Sequence, residues 1–248
     1  MSDSQAIILI TGGTVGGIGF ELAVQLIAKS KHVLLGIRNE AKRDAAIQEL
    51  TSRALPGTFE VIDLDMADEE SISAAAQLDA LVNNAAATTL QSTASQNEAE
   101  QFALCFKTNA TGPFLLTEAV VPLLKKSKGT PRILNVSSGA GSIRRLLDSN
   151  SPRYQLHLSM GMKGLAYGTS KAAANLITAK QAVIYGQYGF KVFAFSPGFV
   201  VSNASSNNRV ENGAQPTEDA VRPMVDILLG QRDDEHGCFL GPVGQYEW

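Results

Sequence analysis

The sequence has few of the residues that form disulfide bonds or hold metal ions. Among its 248 residues there are only two cysteines, Cys105 and Cys238, and they lie far apart in the chain. The three histidines, His32, His157 and His236, show none of the spacings that are typical of metal ligands. These shortages argue against a disulfide framework and against a metal site.

The chain also lacks an excess of charge of one sign and any long apolar run. Its net charge is −3 and 18% of its residues are charged, so neither nucleic acid nor a membrane surface is indicated as a partner. No run approaches the ~20 apolar residues of a membrane span, and residues 1–5 are polar where a secretory signal would be basic. These absences predict a cytoplasmic protein whose partners are small molecules.

What the chain does contain is an alternation of strand-like and helical segments, and its length suits one domain covering residues 1–248. Strands that alternate with helices predict an α/β fold: a doubly wound, mostly parallel sheet of about seven strands with helices on both faces. A short helix is predicted at 69–77, and a long helical segment at 97–125 should bend at Gly112-Pro113. The predicted strands are residues 6–10, 32–37, 58–64, 80–82, 132–137 and 191–195, and residues 237–240 could add an edge strand.

A glycine-rich loop follows the first predicted strand. Residues 11–19 are Thr-Gly-Gly-Thr-Val-Gly-Gly-Ile-Gly, and a helical stripe of Ile18, Leu22 and Leu26 continues from them. Glycines let the backbone approach a pyrophosphate without a Cβ clash, and a helix N-terminus offers it unpaired N–H groups. This order of strand, loop and helix predicts a dinucleotide-binding (Rossmann) fold. The alternative is a tight turn without a ligand.

The residues after the second predicted strand bear on which dinucleotide is bound. In dinucleotide folds an acidic residue near this point bonds to the adenosine ribose, whereas a basic residue pairs with a 2′-phosphate. Here the strand is followed by Arg38, with Lys42 and Arg43 close behind. Arg38 therefore favours NADP(H), while Glu40 leaves NAD(H) open and a plain surface arginine is the other alternative.

A tyrosine and a lysine stand four residues apart in a strongly helical segment. Four residues is about one helical turn, so Tyr167 and Lys171 project from the same face. A cation beside a phenol favours the phenolate and lowers the phenol pKa from near ~10, which suits the tyrosine to proton transfer. An isolated pair of this kind is more often a solvated helix face. Its significance here comes from the glycine loop and from two polar motifs at strand ends, Asn83-Asn84 and Ser137-Ser138.

Taken together, these motifs resemble the short-chain dehydrogenase/reductase family in its short, single-domain form, over residues 7–240. The resemblance implies a catalytic set of Asn109, Ser138, Tyr167 and Lys171. It also implies a cofactor site formed by Gly12, Thr14, Gly17, Ile18, Gly19, Arg38, Asp65, Met66, Asn83, Ala85, Tyr167, Lys171, Pro197, Gly198, Val200 and Ser202. Residues 216–219 and the segment Gly237-Cys238-Phe239 are similar to the carbonyl reductases of the family.

Three features depart from the usual family pattern. The glycine loop is one residue longer, which leaves open whether Gly16 or Gly17 approaches the phosphates. The helical segment before Asp79 is short. The spacing from Ser138 to Tyr167 is long, and the insertion at about residues 142–164 mixes basic side chains with flexible apolar ones, which could roof a substrate site. The alternative is a surface excursion that contacts no ligand.

The resemblance implies NADPH-dependent reduction of a ketone or aldehyde, with a bulky, apolar carbonyl compound as substrate. Tyr167 would donate the proton, Ser138 would hold the carbonyl oxygen, and Asn109 would hold a water that connects Lys171 to solvent. Two alternatives stay open: a non-redox isomerase or cyclase of a biosynthetic pathway, and a dinucleotide-binding sensor without turnover. Monomer and homodimer are both open, because an insertion before Tyr167 can cover the surface through which family members often pair.

Overall fold

The protein contains one eight-stranded sheet in the part of the chain that the computed structural model describes, namely residues 5–64, 77–88, 97–151, 154–203 and 207–248. The strands are β1 (Ile7–Thr11), β2 (His32–Gly36), β3 (Thr58–Ile62), β4 (Ala80–Asn83), β5 (Arg132–Val136), β6 (Lys191–Phe195), β7 (Phe239–Leu240) and β8 (Gln245–Tyr246). Their order is β3-β2-β1-β4-β5-β6-β7-β8, and every pairing is parallel except that of β7 with β8. The predicted doubly wound sheet is confirmed, and β8 adds an antiparallel edge that was not predicted.

Eight α-helices connect these strands within the described residues. They are α1 (Ile18–Ala28), α2 (Glu40–Ser52), α3 (Glu98–Phe106), α4 (Gly112–Leu124), α5 (Ile143–Leu147), α6 (Tyr154–Met160), α7 (Leu165–Gly186) and α8 (Thr217–Leu228). The helix predicted at 69–77 falls almost wholly outside the described residues. None of the helices that the structure describes is long and apolar enough to cross a membrane.

The apolar run of β1 is explained by burial on both faces of the sheet. Successive side chains of a strand point to opposite faces, and here Ile8 and Ile10 join the core cluster that includes Leu22 of α1 and Val225 of α8. Leu9 points the other way, into the cluster that packs under α4 and α7. Each such side chain contributes roughly 1.5–3 kcal/mol when it is fully buried, so both layers hold the central strands in register.

The long helical segment is interrupted one turn before the predicted bend. Helix α3 ends at Phe106, a π-helical turn spans Lys107–Thr111, and α4 then begins at Gly112 with Pro113 in its first turn. A π-helical turn within a helix commonly marks a functional site. This one contains Asn109, which is 2% exposed.

The carboxylate of Asp79 joins three segments at the amino-terminal edge of the sheet. Its Oδ2 accepts a hydrogen bond from the Ile7 amide at 2.8 Å, and its Oδ1 accepts one from the Ser127 hydroxyl at 2.5 Å. The Asp79 carbonyl accepts a third hydrogen bond, from the Arg132 amide at 3.0 Å. One residue therefore aligns the beginnings of β1, β4 and β5.

We expect Asp79→Ala to lower the free energy of unfolding by about 1–3 kcal/mol, because it leaves a strand amide and a hydroxyl without their acceptor. Urea unfolding followed by circular dichroism measures this change. Asp44→Ala, at an exposed site on α2, is the control and should stay within about 0.5 kcal/mol of the unmodified protein. Equal stability of the two variants would show that the Asp79 carboxylate does not hold the strand ends.

Candidate active site

The glycine loop lies directly against the segment that follows β4. Gly12 has a φ of +75°, in the left-handed region that favours glycine. A Cβ on Gly12 would lie 2.8 Å from the Ala85 Cα, and a Cβ on Gly19 would lie 2.5 Å from Nδ2 of Asn84. Only glycine at these two positions allows the loop and this segment to approach so closely.

The beginning of α1 is open to an anionic ligand. Gly17 is the N-cap residue, and no side chain bonds to the first amides of the helix within the described residues. Such amides, at the positive end of the helix dipole, suit a phosphate group. Gly16 precedes them with a φ of +77°, so of the two candidate glycines it is Gly17 that lies at the helix start, beside Ile18.

Asn84, which sequence reasoning did not select, connects the loop to β4. Its Nδ2 donates to the carbonyls of Thr11 at 2.8 Å and Gly12 at 3.1 Å, and its amide and that of Ala85 both donate to the Thr11 hydroxyl at 2.9 Å. The Asn83 side chain points to the opposite face and is buried. Any contact of Asn83 with a cofactor would therefore be through its main chain. Successive side chains of a strand point to opposite faces of the sheet. Extending this alternation one residue past the end of β4 would have placed the Asn83 and Asn84 side chains on opposite faces.

Arg38 is exposed at the end of β2, and its guanidinium has no hydrogen-bond or ion-pair partner within the described residues. The neighbouring Arg43 is already engaged: it donates to the Ile37 carbonyl at 3.2 Å and pairs with Asp63 at 3.1 Å. Arg38 is thus an available cation at this point. Asp65 and Met66 of the predicted cofactor site lie outside the described residues.

The structure places Lys171 beneath Tyr167 on α7, with the Lys171 Nζ 5.9 Å from the centroid of the Tyr167 ring. Lys171 is only 2% exposed, and its ammonium group donates a hydrogen bond to the Val136 carbonyl at 2.8 Å. Burial lowers the Lys171 pKa from 10.5 to about 8, and a weaker interaction with Cys105 opposes that shift. The pair is therefore not a solvated helix face, because the lysine is inside the protein.

The two serines after β5 face different surroundings. The Ser137 hydroxyl is buried and donates to Oδ1 of Asn175 on α7 at 2.5 Å. The Ser138 hydroxyl accepts a hydrogen bond from the Ala140 amide at 3.2 Å, and the amide of Gly139 donates to the Ser196 hydroxyl at 3.0 Å. Ser138 thus lies at the carboxyl edge of the sheet, where the predicted catalytic role requires it.

Asn109 links the segment after β4 to α7. Its Nδ2 donates to the Ala87 carbonyl and to the Ser170 hydroxyl, both at 2.9 Å, and its Oδ1 accepts the Ala87 amide at 2.8 Å. The Ser170 hydroxyl donates in turn to the Tyr167 carbonyl at 2.7 Å. The Asn109 side chain therefore connects α7 to the segment that follows β4.

A small polar cavity lies beside Lys171 and Asn109. Its volume of about 10 Å³ is close to the minimum needed to hold one water molecule. The lining also includes Asn83 and Gln181, whose Oδ1 and Nε2 respectively are buried without a hydrogen-bond partner within the described residues. The cavity thus offers one acceptor and one donor to a water molecule. It lies next to Lys171, which the predicted water would connect to solvent.

The segment after β6 closes the other side of the site. Gly198 has a φ of +86°. The Pro197 carbonyl accepts a hydrogen bond from the Gln215 side chain at 2.5 Å, and Val200 forms an isolated parallel bridge with the same glutamine.

The Ser202 hydroxyl accepts a hydrogen bond from Asn208 Nδ2 at 3.2 Å. At the next residue, Nδ2 of Asn203 donates to the Val15 carbonyl of the glycine loop at 2.8 Å, so the two loops are in contact and Thr14 lies next to that contact.

The insertion forms α5 and α6 and presents apolar side chains to solvent. Leu147 is 71% exposed, Leu158 62% and Met162 76%. Residues 152–153 of the insertion lie outside the described residues. The predicted contact of this segment with substrate stays a prediction.

Comparisons with known proteins agree on one group of enzymes. A family model described as short chain dehydrogenase matches residues 6–149. The short-chain dehydrogenase/reductase eupG of Phoma sp. is 36% identical, over 91% of this chain and 87% of that protein. The (+)-neomenthol dehydrogenase of Arabidopsis thaliana is 28% identical, over 93% of this chain and 94% of that protein. The NADPH-bound carbonyl reductase from chicken fatty liver superposes with a TM-score of 0.79 at 27% identity, covering 98% of this chain and 99% of that one.

The buried ammonium of Lys171 should destabilise the protein in the absence of cofactor. We expect Lys171→Met to raise the free energy of unfolding at pH 7 by up to about 3 kcal/mol, because the lysine pKa falls from 10.5 to about 8 on folding. Between about pH 8 and 10.5 the unfolded chain keeps a proton that the folded protein has released, so the stability of the unmodified protein rises with pH and the two proteins converge. Urea unfolding from pH 7 to 10 measures this difference. A difference that does not shrink with pH would contradict the burial argument.

Proposed function

This chain belongs to the short-chain dehydrogenase/reductase family, and on that premise we propose that it is an NADPH-dependent enzyme that reduces a ketone or aldehyde to an alcohol. The observation that carries the proposal is the pairing of Tyr167 with a buried Lys171 at the carboxyl edge of the sheet. The similarity to an NADPH-bound carbonyl reductase over nearly the whole chain supports the same reaction.

The residues present fit a dinucleotide. Gly12 and Gly19 have no Cβ, so they pack closely against the segment after β4 and leave the loop backbone accessible. The start of α1 at Gly17, whose first amides have no side-chain cap, would bind the pyrophosphate. Arg38 would pair with the 2′-phosphate. Ala85, just past the end of β4, would flank the adenosine ribose, and Gly198, just past the end of β6, would lie beside the nicotinamide carboxamide. When it is bound, the nicotinamide supplies the hydride.

The chain's own residues supply the proton and hold the reacting oxygen. Ser138 would donate a hydrogen bond to the carbonyl oxygen of the substrate, and Tyr167 would donate the proton to that oxygen as negative charge develops on it. The ammonium of Lys171 stabilises the phenolate that remains, because the low dielectric around a buried cation strengthens its attraction for a nearby anion. The cavity beside Asn109 would hold the water through which Lys171 is connected to solvent.

The exposed side chains of the insertion support a bulky, apolar substrate. Three of them, Leu147, Leu158 and Met162, are more than 60% exposed. Apolar side chains left in solvent around a site are typical of a surface that a ligand covers.

Arg38→Ala should remove most of the preference for NADPH over NADH. A charge-assisted bond to phosphate contributes about 1.5–3 kcal/mol, so the NADPH Kd should rise by roughly tenfold to a hundredfold while the NADH Kd stays the same. Fluorescence titration with both cofactors measures the change. Arg53→Ala, at the far end of α2 where the arginine pairs with Glu49, is the matched control. Equal affinity of the unmodified protein for both cofactors would rule out the 2′-phosphate assignment.

Tyr167→Phe removes only the hydroxyl that we assign as proton donor. General acid catalysis typically contributes about 10²- to 10⁴-fold, so kcat should fall by at least that range with little change in the cofactor Kd. Steady-state NADPH oxidation with a panel of aliphatic, aromatic and polycyclic carbonyl compounds provides the measurement. Tyr188→Phe, at an exposed tyrosine just after α7, should leave kcat unchanged. Near-normal turnover by Tyr167→Phe would mean that another group is the acid.

A further inference from the structure

Three arginines of the described residues have no carboxylate partner, and they lie in segments assigned to the proposed site or next to it. Six arginines of the described residues pair with a carboxylate within 4 Å: Arg43, Arg53, Arg132, Arg144, Arg222 and Arg232. The three others that the structure describes are Arg38, Arg145 and Arg209. Arg38 follows β2, and Arg209 donates to the carbonyls of Asn208 and Ser202 in the segment after β6. Arg145 has no role in the reaction proposed above.

Arg145 lies beside the residue that follows the catalytic serine. A Cβ on Gly139 would be 3.4 Å from Nε and 3.9 Å from Cζ of Arg145. Gly139 is joined directly to Ser138, so the guanidinium lies beside the chain neighbour of the proposed catalytic serine. Because Arg145 is half-buried, its charge is less screened than that of a surface arginine.

The C-terminal residues hold Arg145 in this position. Its guanidinium lies over the Tyr246 ring, with 4.0 Å between Cζ and the ring centroid. Its amide donates to the Ser142 hydroxyl at 3.2 Å, and that hydroxyl donates to the Glu247 carbonyl at 2.6 Å. The Tyr246 ring is fixed in turn by an edge-on contact with Phe239 of β7, at 5.4 Å between centroids. The side chain is thus oriented by the sheet edge rather than by an acidic partner.

A guanidinium stacked on an aromatic ring keeps its N–H groups free in its own plane. Within the described residues, no guanidinium N–H group of Arg145 has a hydrogen-bond acceptor. The nearby carboxylate of Glu247 is already paired with Arg144, at 3.2 Å, so it does not neutralise Arg145. A planar, oriented guanidinium with free donors is suited to bind a carboxylate through two parallel hydrogen bonds.

We propose that Arg145 binds a carboxylate of the substrate, so that the substrates of this enzyme are oxo acids: ketones or aldehydes that also carry a carboxylate. The inference rests on the proposed carbonyl reduction and deepens it. Arg145 would be a substrate-binding residue, because it lies beside Gly139, the residue after Ser138, and takes no part in the hydride or proton transfer. The exposed apolar side chains of the insertion would cover the remainder of such a molecule.

The test compares 4-formylbenzoate with its neutral methyl ester, two aldehydes that differ in charge and little in shape around the reacting carbonyl. We expect the unmodified enzyme to reduce the acid with a kcat/KM at least tenfold above that for the ester. Arg145→Gln should remove this preference by lowering kcat/KM for the acid roughly tenfold to a hundredfold, chiefly through KM, while the ester is unaffected. Arg222→Gln, at an exposed arginine of α8 that pairs with Asp219, is the control and should preserve the preference. Cofactor affinity and thermal melting confirm that each variant is folded.

Reduction of both aldehydes with no preference for the acid, or an equal loss on both in Arg145→Gln, would overturn the carboxylate site and leave the proposed reductase intact. If neither aldehyde is reduced, calorimetric titration with benzoate and with neutral benzamide tests the site without turnover. Benzoate binding that Arg145→Gln weakens at least tenfold, with benzamide bound weakly by both proteins, would support the site. Equal benzoate binding by both proteins would overturn it.

Discussion

The burial of one ammonium group is the constraint on which the site depends. Lys171 is inside the protein, where its charge is costly, and the main-chain carbonyl of Val136 accepts its hydrogen bond at 2.8 Å. The position of Val136 is set by β5 in the middle of the sheet, and that of Lys171 by α7. The packing of α7 on the central strands therefore holds the Lys171 ammonium group one helical turn from Tyr167.

The contact between α7 and the sheet changes from apolar to polar along the strands. In the middle of the sheet, the face under α4 and α7 is apolar, with Leu9, Leu81 and Ile133 in one cluster. Towards the carboxyl edge it becomes polar, where Asn83 donates to Asn135 at 2.7 Å, and Asn135 donates to Thr178 and Gln181 at 2.9 Å. The apolar part stabilises the fold, while the polar part surrounds the cavity beside Lys171. An internal water is best accommodated where donors and acceptors are already buried.

Interactions between residues that are close in the sequence could be predicted from the sequence alone, whereas interactions between distant segments could not. Tyr167 and Lys171 share one helical turn and the glycine loop is continuous, so local patterns sufficed, and the family resemblance that rests on them is confirmed. The side-chain direction of Asn83 depends on where β4 ends, a boundary that pattern reasoning places only within a few residues. The contact of Tyr246 with Arg145 joins segments about 100 residues apart, and no periodicity reports such a pairing. The roles of individual site residues stay predictions, since they concern bound states.

The account as a whole requires that hydride pass to a carbonyl carbon at this edge of the sheet. NADPH carrying deuterium at C4 of the nicotinamide, prepared as each of the two stereoisomers, should be incubated with the enzyme and a carbonyl substrate, and the product examined by mass spectrometry and NMR. We predict one deuterium on the carbinol carbon from one stereoisomer and none from the other, because the bound ring presents a single face. A rearranged product without deuterium, or cofactor binding with no transfer to any class of carbonyl compound, would contradict the account.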